Sequence, residues 1–214
     1  MGPNLKEKVY KAIMDDIVND VYRPFQILSE SSLVEKYNCS KSPVREALQL
    51  LCNDGVLRSI PRCGYEIKLI MQEEIIQMLN ARYLIEAGFV IQTMERIRPQ
   101  QIDQLNNMVV SLSSCQDDMW RYWDLNTEFH LFLVAISGND IAHGELQRIC
   151  NKLKMAYAQL SRTNWRSGGI SFEAKNHRAI IAALEKKDLV AVRAAIQQDL
   201  LGFCDLQYEL TDFF

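Results

Sequence analysis

S-K-S-P-V-R-E-A-L-Q-L-L-C-N-D-G-V-L, residues 40–57, is the stretch that decides the fold of the first third of the chain. Val44, Ala47, Leu48 and Leu51 recur at spacings of three and four, which makes them the buried stripe of a helix running to about Asn53. Ser40 or Ser42 caps its start, and Pro43 is tolerated in a first turn whose N–H groups have no intrahelical partner. Gly55 fits the position just past the helix end. Lys41 and Arg45 are four residues apart and share a polar face, with Ser42 beside them. A helix whose first turn presents cations and small hydroxyls, packed by an apolar back, suits a DNA major groove. On spacing alone, a solvated polar face is the equal alternative.

Working outward, Leu5, Val9, Ala12, Ile13 and Ile17 form the stripe of a first helix. Ser29-Glu30 opens a short second helix holding Leu33, Val34 and Tyr37, and a turn follows at Asn38-Cys39. Downstream, V-L-R-S-I (56–60) and Y-E-I-K-L-I (65–70) alternate apolar and polar residues around P-R-C-G (61–64), the pattern of a β-hairpin. Arg62 and Gly64 sit at its tip, where a cation and a glycine that permits close backbone approach suit a phosphate or minor-groove contact. Three helices and a two-stranded hairpin are the order of a winged helix-turn-helix.

After residue 71 the periodicity is helical to the end, as in Ile75, Ile76, Leu79, Tyr83 and Ala87. Breaks at Arg98-Pro99, Gly138-Asn139, Ser167-Gly168-Gly169 and Lys187-Asp188 divide this region into about six helices. The expected organisation is mainly α: a winged helix-turn-helix domain over 1–70 and an all-helical bundle over 71–214.

The chain's 48% apolar and 24% charged residues describe an ordinary folded protein, and no stretch is apolar enough to span a bilayer. The first 20 residues show no signal-peptide pattern, so a cytoplasmic location is expected, with the six scattered cysteines as small buried thiols. The net charge of −3 hides an uneven distribution: residues 1–70 carry +1 and residues 71–214 carry −4. That excludes a diffuse, nonspecific binder of nucleic acid but not a specific one.

The run at 40–57, followed by R-C-G-Y-E-I and preceded by L-S-E-S-S-L-V-E-K-Y, resembles the DNA-binding domain of GntR-type bacterial transcription regulators over about residues 5–70. The resemblance implies operator contacts from Lys41, Ser42, Arg45 and Gly64, and Ser31, Ser40 and Arg62 complete the set of candidate DNA contacts. Lys41 stands where the family commonly has Arg, and a lysine is a point charge rather than a planar fork. Ser31 replaces a frequent cation and offers a phosphate hydrogen bond at most.

Read by composition alone, a lone helical histidine is usually structural, and the spacings of Asn126, His130, His177 and Asp199 do not by themselves define a metal site. Yet A-R-Y-L-I-E, N-T-E-F-H-L-F-L-V-A-I-S-G-N and the run from N-H-R-A-I-I onward resemble the effector-binding domain of the FadR/FCD branch of that family, over roughly residues 72–210. That branch often binds a divalent ion through an Asp and three His, which correspond here to Asn126, His130, His177 and Asp199. Asn replaces Asp and Asp replaces the last His, so the carboxylate has moved rather than vanished. The resulting N/O set suits Zn²⁺, Ni²⁺ or Mn²⁺ with lowered affinity; the alternative is a metal-free pocket whose groups hydrogen-bond the effector directly.

Arg82 and Glu86 stand one turn apart as an R-x-x-x-E pattern, on its own an intrahelical ion pair. The resemblance implies that Arg82 faces the effector cavity and pairs with a carboxylate. Lys152 is a second cationic candidate, with a solvated face as its alternative. Together these readings imply a homodimeric, ligand-responsive transcription regulator that binds an operator and senses a small carboxylate. The rivals are a metal-assisted hydrolase using His130 and His177, and a helical protein-interaction module. The absence of a further carboxylate or His at motif spacing, to serve as general base, opposes the hydrolase.

Overall fold

The computed structural model describes residues 4–115, 118–164 and 175–202. In chain order the elements are α1 (Leu5–Val18), β1 (Ile27–Leu28), α2 (Glu30–Tyr37), α3 (Lys41–Asn53), β2 (Leu57–Ile60), β3 (Gly64–Ile67) and α4 (Gln72–Thr93). A short 3₁₀ turn (Met94–Arg96) precedes α5 (Pro99–Ser113), α6 (Met119–Ala135), α7 (Asp140–Asn164), α8 (Lys175–Glu185) and α9 (Leu189–Gly202). The chain divides into two units. One runs to Ile75 and takes in α7 from Asn151 onward; the other comprises Ile76–Cys150 with α8 and α9.

In the first unit, α3 packs on α1 and α2 through the stripe anticipated above. Val44, Ala47, Leu48 and Leu51 are fully buried, together with Ile13 and Ile17 of α1 and Leu33 of α2. Burial of each large aliphatic stabilises the unit by about 1.5–3 kcal/mol relative to exposure. Ser29 caps α2 by accepting a hydrogen bond from the Ser32 N–H. Ser40 occupies the cap position of α3, but its side chain makes no capping hydrogen bond. Gly55 lies just past the end of α3 with φ +72°, as the sequence predicts.

The hairpin is present, with Leu57 opposite Ile67 and Ile60 opposite Gly64. It is not two-stranded, however. β1 pairs antiparallel with the outer side of β3, giving a three-stranded sheet in the order β1-β3-β2. Residues of α7 complete this unit. The Gln159 side chain accepts from the Ile70 N–H at 3.0 Å and donates to the Lys68 carbonyl at 2.8 Å. Asn151 donates to the Tyr10 hydroxyl at 3.1 Å, and that hydroxyl donates to Asp54 at 2.6 Å.

The second unit is helical, with six α-helices contributing to it among the described residues, matching the expected number. Its breaks fall at Pro99, at Gly138 (φ +70°) and at Lys187 (φ +54°) as anticipated. The expected break at Ser167-Gly168-Gly169 lies outside the described residues. A further break separates α5 from α6, where no glycine or proline signals it. The main core gathers Val90, Leu105, Leu112, Phe129, Leu133, Ile180 and Ile196. A smaller cluster joins Leu131 and Val134 of α6 to Ala142, Leu146 and Cys150 of α7, with Ile85 and Phe89 of α4 packed against it. The five described cysteines are free thiols, but only Cys150 is buried, against the expectation of buried thiols throughout. No described helix is long and apolar enough to cross a membrane.

Candidate functional site

The polar face of α3 is exposed at Lys41, Ser42 and Arg45. Ser42 Oγ donates to Glu46 at 2.8 Å, and Ser31 Oγ lies 3.1 Å from Ser29 Oγ. Arg45 reaches across to α2, where its Nε and Nη2 donate to the two carboxylate oxygens of Glu30 at 2.9 and 2.8 Å. Tyr65 on β3 donates its hydroxyl to Glu30 Oε1 at 3.4 Å. Hydrogen bonding and charge from Arg45 hold the Glu30 carboxyl below the usual carboxylate range, and Glu30 in turn raises Arg45.

At the wing tip, Arg62 is exposed in the left-handed region, with φ +65°. Gly64 has φ +130°, and a Cβ built on it would meet the Leu28 carbonyl oxygen at 2.4 Å. The glycine is therefore required by the approach of β1 to β3, a constraint internal to the protein.

In the second unit, six polar side chains are buried where a helical bundle is normally apolar. Arg82 and Glu86 of α4, Asn126 and His130 of α6, His177 of α8 and Asp199 of α9 are all at most 4% exposed. Arg82 Nε donates to Glu86 Oε1 at 2.5 Å, and the other Glu86 oxygen lies 2.6 Å from His130 Nδ1. His130 Nε2 approaches Asp199 Oδ2 to 3.0 Å without hydrogen-bond alignment, and His177 Nδ1 lies 3.7 Å from Asp199 Oδ1. Phe129 packs edge-on against the His177 ring, 4.6 Å between centroids.

The electrostatics of this cluster are strongly coupled. Burial pushes Asp199 up, but the surrounding His177, His130 and Arg82 outweigh it and hold the carboxyl well below its usual range. Burial likewise opposes the charged form of His130, yet Glu86 and Asp199 raise it. Burial pushes His177 down to about 4. Asn126 Oδ1, both His177 nitrogens and Asp199 Oδ2 have no hydrogen-bond partner.

Unsatisfied buried acceptors of this kind mark a place for a ligand or ion. Ligand atoms of His130, His177 and Asp199 lie within 4.8 Å of one another. Ligands about 2.1 Å from one ion stand roughly 3–3.5 Å apart at right or tetrahedral angles; the 3.0 Å from His130 to Asp199 lies in that range, and the 3.7 Å from His177 to Asp199 slightly beyond it. With Asn126 one turn before His130, the donor set of two imidazoles, a carboxylate and an amide oxygen fits a divalent cation. In that arrangement Glu86 fixes the His130 tautomer, because an Nδ1–H donated to Glu86 leaves Nε2 free to ligate.

Comparison with known proteins matches residues 5–67 to the bacterial regulatory proteins of the gntR family and residues 77–201, more than half of the chain, to the FCD domain. The chain belongs to the GntR family, in its FCD branch. This GntR/FCD protein is 24% identical over 208 residues to the HTH-type transcriptional repressor RspR of Escherichia coli K12, covering 92% of this chain and 86% of that one. It is 26% identical over 207 residues to the gluconate operon transcriptional repressor of Bacillus subtilis 168, covering 92% and 81% of the two chains. Its fold resembles that of the solved E. coli McbR/YncC, with a TM-score of 0.78 at 20% identity over 94% of this chain and 98% of that one. The protein is thus a DNA-binding transcription regulator and not an enzyme, which sets aside the hydrolase and interaction-module readings.

Within the GntR/FCD frame, the structure brings together His130, His177 and Asp199 and links Arg82 to His130 through Glu86, while Asn126 is buried one turn before His130. Lys152 is placed elsewhere. It belongs to the first unit, with its Nζ 3.4 Å from Glu74 and close beside Gly55. Two residues of evident importance were not read as site residues from the sequence. Glu86 gave a signal only as the intrahelical partner of Arg82, and Glu30 only as an opener of α2.

Proposed function

We propose that this GntR/FCD regulator reads an operator with α3 and the wing, and that a small carboxylate held in the second unit controls its affinity for DNA. Lys41, Ser42 and Arg45 supply the major-groove contacts, and Arg62 and the backbone at Gly64 supply the wing contact. Ser31 and Ser40 donate hydrogen bonds to phosphates. The names of the two relatives favour repression, and DNA as the target supports a cytoplasmic location.

The observation that carries the effector reading is the buried cluster, where orphaned donors and acceptors face one another inside an apolar bundle. Asn126, His130, His177 and Asp199 would hold the ion, and Arg82 would face the ligand. When bound, Zn²⁺, Ni²⁺ or Mn²⁺ supplies a Lewis-acidic anchor for a carboxylate. Charge counting supports the pairing. Arg82 and Glu86 cancel, so with neutral imidazoles Asp199 leaves the cluster negative, and a divalent ion reverses that sign to suit a monoanion. A second reading is favoured by the position of His130 between Glu86 and Asp199: protonated there, it balances the cluster without a metal and leaves it better suited to a neutral ligand.

A homodimer on an imperfect palindrome completes the proposal. Leu84 of α4 is 70% exposed one turn from Gly88, and Ile141 of α7 is 80% exposed near Gly144; both glycines have open space at the Cβ position. Exposed aliphatics beside bare helix backbone suit close packing by a second copy.

Elemental analysis and gel-shift titration of the full-length protein test the whole scheme. The expected result is about one divalent ion per chain, lost in His130→Ala and in His177→Ala, and carboxylate-dependent release of DNA that a chelator abolishes. Arg45→Ala is expected to abolish the footprint. Metal-free wild-type protein with an undiminished carboxylate response would replace the metal reading by the second one.

A further inference from the structure

We propose that Glu30 is a positioning residue for operator recognition, holding Arg45 in the orientation that reads a base although Glu30 itself touches no DNA. The inference rests on Arg45 as the recognition cation and adds what determines its selectivity.

A guanidinium carries five N–H donors in a rigid planar fork. Glu30 occupies one edge of that fork, the Nε–H and one Nη2–H. The edge left over carries one Nη1 proton and the second Nη2 proton, a pair of parallel donors. That geometry matches the O6 and N7 acceptors of guanine in the major groove.

Three elements converge to hold it. Glu30 lies in the first turn of α2, Arg45 in α3, and the Tyr65 hydroxyl of β3 reaches Glu30 Oε1. Glu30 carries its negative charge at the N-terminal end of α2, where the helix dipole favours an anion. An arginine without this partner is free to turn to the nearest phosphate or to spread over rotamers, and must be ordered each time it binds.

The arrangement has a signature that a merely structural salt bridge lacks. An anion beside a DNA-facing cation weakens attraction to every duplex alike. Removing Glu30 therefore moves specific and nonspecific binding differently. The specific complex loses the pre-set arginine, whereas the nonspecific complex loses only a repulsion.

The test uses the full-length protein and a duplex selected from random DNA by the wild type, compared with a scrambled duplex at the same salt. In Glu30→Ala, affinity for the selected duplex is expected to fall roughly two- to tenfold, the cost of ordering one long side chain. Affinity for the scrambled duplex is expected to hold or rise. Glu30→Gln, which keeps one acceptor oxygen, is expected to fall between wild type and Ala, and its thermal unfolding establishes that the domain is intact. The base pair whose discrimination is lost in Glu30→Ala is expected to be the one lost in Arg45→Lys. Parallel loss on both duplexes, or an unchanged ratio in both Glu30 variants, would overturn the role of Glu30. Retention of the wild-type ratio by Arg45→Ala would instead overturn the reading of Arg45 on which it rests.

Discussion

Glu86→Gln is the substitution with the largest expected consequence in the second unit. The native carboxylate bonds Arg82 Nε at 2.5 Å and sits 2.6 Å from His130 Nδ1, and all three side chains are at most 2% exposed. Arg82 cannot discharge by losing a proton, since guanidinium stays charged in proteins, and here its surroundings raise it further. Removing one partner of a buried pair costs about 3–5 kcal/mol, because the remaining charge keeps its desolvation penalty and loses its compensation. With a urea slope near 2 kcal/mol per molar, the unfolding midpoint is expected to fall by about 1.5–2.5 M. Trp120 and Trp123 on α6 give this unit a fluorescence signal. The decisive comparison adds Arg82→Met: with both charges gone, the double variant is expected to recover a large part of the loss, since no uncompensated buried charge remains. Equal midpoints for the single and double variants would refute the claim that Glu86 acts by compensating Arg82.

Two substitutions test backbone geometry. Gly64→Ala forces an L-residue to φ +130° with its Cβ 2.4 Å from the Leu28 carbonyl, and is expected to destabilise the first unit by about 2–3 kcal/mol in thermal unfolding; unchanged stability with lost DNA binding would instead make Gly64 a DNA-approach residue. Phe25 is 62% exposed at φ +67°, so Phe25→Gly is expected to stabilise by about 0.5–1 kcal/mol in the same assay, and a loss of stability would show that the ring makes contacts that outweigh its strain.

What was legible in the sequence follows the distance over which each feature is determined. The amphipathic stripe of α3, its proline near the start, the glycine past its end and the β2–β3 hairpin depend on neighbours a few residues apart, and each was readable. β1 was not. It is two residues long, too short to show alternation, and exists because β3 offers it an edge. The Arg82–Glu86 pair was legible at i, i+4, but the second bond of Glu86 reaches 44 residues along the chain to His130. Glu30 meets Arg45 only because α2 and α3 fold against each other. Lys152 shows the converse. A cation on a helix looks available in sequence, and folding sets it beside Glu74.

The weak charge of the DNA-binding half now carries a quantitative consequence. Residues 1–70 hold a net +1, and one of the placed cations, Arg45, already shares its charge with Glu30. In the proposed dimer, the proposed contacts Lys41, Arg45 and Arg62 give six cations, or four at phosphates if Arg45 reads bases. Each phosphate neutralised contributes about −0.9 to the slope of log affinity against log salt, so the expected slope is about −4 to −5. A slope of about −8 or steeper in gel-shift titrations of the selected duplex would mean that many more cations meet the backbone, and binding would then rest on a diffuse basic surface. A slope within the expected range, preserved in Glu30→Ala while the specificity ratio falls, would place selectivity in the orientation of Arg45 and affinity in the few charges around it. In a domain with so little net charge, orientation is the larger lever, because there is no surplus of cations to hold a misread complex together.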